Sequence, residues 1–281
     1  MSDQSVGELL RQLAREREMR REAQEQLRAV IDSAAVRPAA LLNRLTGRGP
    51  AIDALRRSLD RGDAAPTTIS NPAARQEVID EFHRLYYGDR DRTWKNTFWM
   101  GTQVLKLPFD LWLYQEMIHR VRPDVIVECG TRFGGSALYM AHMQDLIEHG
   151  RVITVDIDVQ PNRPEHDRIT YLTGSSIDEA IVEQIRRAAE GRVCMVVLDS
   201  DHSEAHVYAE MNAYASIVSV GSYLVVEDSN VHGHPVYPHH PPGPWEAIQR
   251  FLGERDDFAH DPASHKFMVT FNPGGVLQRL R

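Results

Sequence analysis

The chain has 281 residues, enough for one substantial core and an appended segment. Its 32 lysines and arginines stand against 40 aspartates and glutamates, a net charge of −8, so bulk charge recruits neither nucleic acid nor an anionic membrane and a small-molecule partner is expected. The two cysteines, Cys129 and Cys194, fall in apolar runs, which favours reduced thiols over a disulfide framework and makes the cytoplasm the expected compartment. Residues 1–7 lack the basic and apolar pattern of a secretory signal, and no run of about 18 apolar residues occurs, so no transmembrane segment is expected.

Residues 6–32 are dense in Arg, Glu, Gln, Ala and Leu, with Leu9, Leu10, Leu13, Leu27, Val30 and Ile31 at roughly helical spacing. They read either as a solvated amphipathic helix or as a coiled-coil or docking helix that helps build a homo-oligomer, the expected state. Prolines and glycines interrupt residues 37–68, so 1–66 form a helical appendage and linker, and 67–281 the main domain. Asn71-Pro72 then supplies an N-cap and a proline at the first helical position, and Gly88 ends that helix. A second helix is expected over 108–122.

Beyond it, strand-like runs at 124–129, 152–157, 169–172, 194–198 and 223–226 alternate with helical patterns at 136–149, 177–189 and 205–217. Strands alternating with helices predict an α/β fold with a mostly parallel sheet covered on both faces. Residues 266–272 and 276–281, separated by Gly274-Gly275, read as a closing antiparallel hairpin, which brings the sheet to seven strands.

The first strand runs into Glu128-Cys129-Gly130-Thr131-Arg132-Phe133-Gly134-Gly135-Ser136 at the start of a helix, where open α/β sheets bind nucleotides. Its Glu-x-Gly-x-x-x-Gly spacing differs from the dinucleotide fingerprint and favours S-adenosylmethionine, with Glu128, Gly130, Thr131, Gly134 and Ser136 as cofactor candidates. Asp156 ends the second strand, where an acid receives hydrogen bonds from ribose hydroxyls, and Asp158 competes for that role. Ser175 and Ser176 end the third strand, either bordering an adenine ring or capping the next helix.

Asp199 follows the fourth strand, and Glu227 and Asp228 follow the fifth. Three carboxylates meeting in one crevice repel one another unless a hard divalent cation such as Mg²⁺ neutralises them; alternatively they cap helices or bind the cofactor, and Asp199 is a candidate for both cofactor and metal. His202, three residues past Asp199, is placed to take a proton from a substrate hydroxyl, the alternative being a histidine that only bonds backbone at a helix start. Residues 231–245 are too rich in proline and glycine for an element interior and read as a lid, with Tyr237, His239 and Trp245 as candidate substrate contacts.

Taken together, Trp99-Met100-Gly101, Leu107 to Trp112, the Glu128–Ser136 turn, Asp199 to His202 and Glu227-Asp228 resemble the cephalosporin hydroxylase family over roughly 94–281. That resemblance implies a Rossmann-like class I methyltransferase fold and, through the family's rhamnosyl O-methyltransferases, methylation of a sugar hydroxyl on a glycoside, glycolipid or polysaccharide precursor. The acid cluster is also similar to that of metal-dependent macrolide-sugar O-methyltransferases, which implies Mg²⁺ on Asp199, Glu227 and Asp228, and His202 as base. Asp201 departs from the pattern as a further acid that competes with Asp199 for the ion. An iron-dependent oxygenase built on Asp199, Glu227 and His202 is the competing enzymatic class, although it leaves the glycine turn without a task. A non-catalytic docking protein is the third class, and it leaves His202 and the acids without one.

Overall fold

The computed structural model describes residue 69 and residues 71–281; the expected N-terminal appendage lies outside them. Helix α1 (Pro72–Gly88) begins as its sequence dictates, with the Asn71 side chain accepting from Ala73 N at 3.0 Å. The minimal hairpin β1 (Phe98–Trp99) and β2 (Thr102–Gln103) and helix α2 (Pro108–Val121) follow. The chain then alternates through β3 (Val125–Cys129), α3 (Gly135–Leu146), β4 (Arg151–Asp156), β5 (Ile169–Thr173), α4 (Glu179–Ala189), β6 (Cys194–Leu198), α5 (Glu204–Tyr214) and β7 (Tyr223–Val226). Helix α6 (Pro244–Glu254), β8 (Phe258–His260) and β9 (Val276–Arg279) complete it.

The seven-stranded sheet has the order β5-β4-β3-β6-β7-β9-β8, with β8 and β9 antiparallel to the rest. Both faces of β3 are covered. Val125, Val127 and Cys129 pack with α4, α5 and α6, while Ile126 packs against α2 and α3 with Tyr114, Met117 and Met140. The period-two alternation of side chains therefore divides one strand between two cores.

The expected hairpin is half correct: β9 is a strand, but 266–272 is not, and β8 takes the edge instead. The reason lies in side-chain hydrogen bonds. Thr270 Oγ1 and Phe271 N donate to Asp110 on α2, and the Asn272 amide oxygen receives Asp228 N from the turn after β7, so the segment is tied to α2 and to that turn instead of pairing in a ladder.

Parallel register sets the functional edge. Cys129 pairs with Val155 and Leu198, and Leu198 with Val226, so Gly130, Asp156, Asp199 and Glu227 emerge side by side at the carboxyl ends of four strands. The chain moves from β3 to β4 on one side and later to β6 on the other, and the crevice opens at that reversal.

Candidate active site

Gly130 has φ +98°, and a Cβ there would lie 1.8 Å from the Asp199 carbonyl oxygen, so only glycine lets β3 and β6 end this close together. A Cβ on Gly135 would lie 2.2 Å from the carbonyl oxygen of Gln103. Glu128 is fully buried beneath the turn, accepting from the Ser136 hydroxyl and from Thr154 Oγ1 at 2.6 Å. Burial pushes its carboxyl up to about 7 against the pull of Lys106 and the two hydroxyls. Thr131 Oγ1 lies 2.6 Å from Thr154 Oγ1 in the same network. Asp156 accepts from Arg132 N at 2.7 Å and from Asp158 N at 2.9 Å, which fixes its carboxylate at the strand end.

Above this edge lies a cleft of about 490 Å³. Gly130, Arg132, Asp156, Asp158, Ser175 and Ser176 line one end, with His206 beside Ser176 at 3.2 Å. Asp199, Asp201, His202 and Asp228 line its floor, and Tyr87, Trp94 and Tyr237 form an aromatic wall. Tyr87 and Trp94 rings are 4.8 Å apart, and Tyr237 meets Tyr87 edge-on at 5.5 Å. A smaller adjoining space reaches Thr131, Gly135, Ser136 and Asp199.

Asp199, His202 and Asp228 each offer a ligand atom within 4.8 Å of the others, and His202 Nε2 lies 3.3 Å from Asp228 Oδ2. Burial raises the Asp228 carboxyl, opposed by His202. Two hard carboxylate donors lining a cleft suit a divalent cation of the Mg²⁺ type. Glu227 lies outside that triad but is bridged to Asp199 by Lys106 Nζ, which donates to Glu227 Oε2 at 2.5 Å and to Asp199 Oδ2 at 2.8 Å, while the Tyr114 hydroxyl donates to Glu227 Oε1. Burial works against the Lys106 ammonium, but Asp199, Glu227 and Glu128 outweigh it and hold the lysine well above its ordinary range. Asp201 uses Oδ1 to accept from Ser203 N at 2.7 Å, at the start of α5.

Of the expected residues, Gly130, Asp156, Asp158, Ser175, Ser176, Asp199, His202, Asp228 and Tyr237 come together on the cleft. Glu128 and Gly134 lie beneath or behind the turn, where a Cβ on Gly134 would meet Pro164 at 2.9 Å. His239 is exposed on the loop, and Trp245 stacks on His234 with ring centroids 5.1 Å apart; neither lines the cleft. Lys106, Tyr114, Tyr87 and Trp94 escaped the sequence reading. A lone lysine in the apolar stretch Val104-Leu105-Lys106-Leu107 was the one local signal of a buried charge.

A second group, His142, Asp145 and His166, also holds its ligand atoms within 4.8 Å. Trp99 Nε1 donates to His142 Nδ1 at 2.9 Å, and Arg168 N to His166 Nδ1 at 3.1 Å, which places the proton of each neutral ring on Nε2. Arg168 Nε donates to Asp145 Oδ1 at 2.5 Å, and the group is a hydrogen-bonded cluster closed by a guanidinium.

The sequence profile described as Rhamnosyl O-methyltransferase/CmcI matches residues 91–280. A rhamnosyl O-methyltransferase of Mycobacterium bovis is 41% identical over 211 residues, covering 72% of this chain and 85% of that protein. Its counterpart in Mycobacterium leprae is also 41% identical over 211 residues, with 72% and 90% covered. Among solved structures, an apo form of CmcI superposes with a TM-score of 0.54 at 21% identity, covering 66% of this chain and 77% of the other. A CmcI structure with Mg and SAM gives 0.53 at 21% identity, with 66% and 78% covered, and both likenesses concern the fold. With its class I methyltransferase sheet and its glycine turn at the strand reversal, the chain belongs to the rhamnosyl O-methyltransferase/CmcI family and is an S-adenosylmethionine-dependent O-methyltransferase.

Proposed function

We propose that the protein methylates a hydroxyl of a sugar carried on a glycoside, glycolipid or polysaccharide precursor, with a divalent cation such as Mg²⁺ in the site and His202 as general base. The observation that carries this reading is the meeting of Asp199, His202 and Asp228 on the floor of a cleft that has the glycine turn at one end and an aromatic wall at the other. Tyr87, Trp94 and Tyr237 offer ring faces and edges to an amphipathic sugar, and a rhamnosyl group is the acceptor implied by the names of the mycobacterial relatives.

When bound, adenosylmethionine supplies an electrophilic methyl group and the divalent cation makes the acceptor hydroxyl more acidic. Gly130 brings the backbone close enough to hold the donor, and Asp156, already fixed by two backbone N–H groups, presents its carboxylate to the ribose end. Asp199 and Asp228 would hold the ion, with Glu227, joined to Asp199 through Lys106, as the third acid of the set. His202 takes the proton of the acceptor hydroxyl, and the Asp228 carboxylate 3.3 Å from Nε2 stabilises the imidazolium that results. Residues 67–281 form the catalytic domain in this reading, residues 1–66 an appendage, and the working form is a cytoplasmic homo-oligomer. Among the described residues no helix is long and apolar enough to cross a membrane.

The test is methylation of a purified rhamnosyl glycolipid with labelled adenosylmethionine, with and without chelator. Transfer that stops on chelation and returns with Mg²⁺ is expected. Transfer undiminished by chelation removes the metal, and no transfer to the rhamnosyl glycolipid removes the sugar acceptor. Substituting His202→Ala is expected to lower turnover by about 10²–10⁴-fold while adenosylhomocysteine still binds, and unchanged turnover ends its assignment as base.

A further inference from the structure

Glu210 on α5 is fully buried, and among the described residues its ion-pair partner is His206, one turn earlier, whose Nε2 lies 3.4 Å from Oε1. The Ser200 hydroxyl donates to the same oxygen at 2.7 Å, while Oε2 has no hydrogen-bond partner among the described residues. A buried carboxylate so sparsely partnered is costly to keep for packing alone. What it holds borders the cleft: Ser200, His206 and Ser176 all line it, and His206 Nε2 lies 3.2 Å from Ser176 Oγ. The Tyr214 hydroxyl donates to the Ser176 carbonyl at 2.7 Å, so α5 fixes both the backbone and the side chain of this serine. Ser176 does not cap the next helix, because the Asp178 side chain accepts from Ala180 N at 2.8 Å and fills that position.

A carboxylate oxygen only accepts, so Nε2 of His206 carries a proton in either charge state of the ring, and the hydrogen bond to Glu210 holds the imidazole above its ordinary range. That N–H lies between Glu210 Oε1 and Ser176 Oγ. The serine oxygen is then the acceptor, and its own hydrogen is turned away from His206 and free to serve the cleft. We infer that Glu210 and His206 are positioning residues that set the Ser176 hydroxyl as a hydrogen donor to N1 of the cofactor's purine, and so select a 6-amino purine over a 6-oxo one. This inference rests on the placement of the ribose at Asp156 proposed above. From there the purine edge furthest from the sugar, which carries N1 and the 6-amino group, reaches the Ser175-Ser176 end of the cleft. Adenine N1 accepts a hydrogen bond, whereas N1 of a 6-oxopurine carries a hydrogen and would meet the serine donor to donor.

A purely structural role would weaken every ligand alike, so the test reads a ratio. Calorimetry in chelator would compare S-adenosylhomocysteine with S-inosylhomocysteine, its 6-oxopurine analogue, on the full-length chain. The proteins would be wild type, Ser176→Ala, His206→Leu, His206→Gln, Glu210→Leu and Asp156→Asn.

Wild type is expected to prefer the adenine ligand by about tenfold or more, and Ser176→Ala, His206→Leu and Glu210→Leu each to bring that preference down to about threefold or less. His206→Gln is expected to keep it, since its amide N–H can take the place of the Nε2 proton. A preference unchanged in His206→Leu would overturn the inference, as would one lost equally in His206→Gln, or wild type that binds both ligands alike. Should Glu210→Leu fail to fold, the two His206 variants decide the matter. Asp156→Asn is expected to weaken both ligands and leave their ratio intact. If it weakens neither, the ribose placement falls, and the ratios in the serine and histidine variants still judge whether the base is read at Ser176.

Discussion

A Cβ on Gly130 would lie 1.8 Å from the Asp199 carbonyl oxygen and 3.0 Å from Ser200 N, and the residue's φ of +98° disfavours any side chain as well. One small residue thus sets the separation between the cofactor turn and the acid-bearing loop after β6. Substituting Gly130→Ala is expected to lower adenosylhomocysteine affinity at least tenfold by calorimetry and to lower the unfolding temperature, the mark of strain combined with a steric clash. Affinity and stability both at wild-type levels would show that the two loops part easily. This turn was legible in the sequence because its logic is local: nine consecutive residues carry the strand end, the positive-φ positions and the helix start. Lys106 and Tyr114 were not legible for the opposite reason. They reach Asp199 and Glu227 across 93 and 113 positions of sequence, and only the folded sheet brings them together.

At the scale of elements, α2 and the segment that precedes β9 are tied through one acid. Asp110 is buried, accepts from Thr270 Oγ1 at 2.6 Å and Phe271 N at 2.9 Å, and burial pushes its carboxyl up to about 7 despite those hydrogen bonds. In the unfolded chain an aspartate titrates near about 4. Because the folded value is raised, its stabilising contribution is full below about pH 4 and is lost as pH rises through about 7. The gap in urea stability between wild type and Asp110→Asn should therefore shift against wild type between pH 5 and pH 8, by an amount on the order of a few kcal/mol. A gap independent of pH would mean that Asp110 is ionised throughout. The same contacts explain why the closing hairpin was misread from its pattern of alternating residues. Apolar residues at 267, 269 and 271 have the spacing of a strand, but the polar atoms between them find Asp110 and Asp228 instead of a ladder partner. The α1 start, by contrast, was legible from Asn71-Pro72 alone, because an N-cap needs no distant partner.

For the molecule as a whole, alternation of strands and helices foretold a parallel sheet, while the placement of β8 at the far edge depended on contacts that no local pattern encodes. The same distinction bears on the division proposed at residue 66. The cleft is lined from Tyr87 to Tyr237, the family profile begins at residue 91, and the sheet runs from β3 to β9 with both faces covered by helices from within 72–281. The described cleft and sheet thus both lie within the unit Ser70–Arg281. A chain lacking residues 1–66 is expected to fold cooperatively and to bind adenosylhomocysteine within about threefold of the full-length affinity, a margin inside the ordinary context dependence of single contacts. The charged amphipathic pattern over 6–32 serves assembly in the same reading, so sedimentation should report a smaller particle for the truncated chain than for the full one. Truncated protein that keeps its oligomeric mass would move the assembly contact into the catalytic domain. Truncated protein that folds but has lost the cofactor would instead make the first 66 residues part of the site.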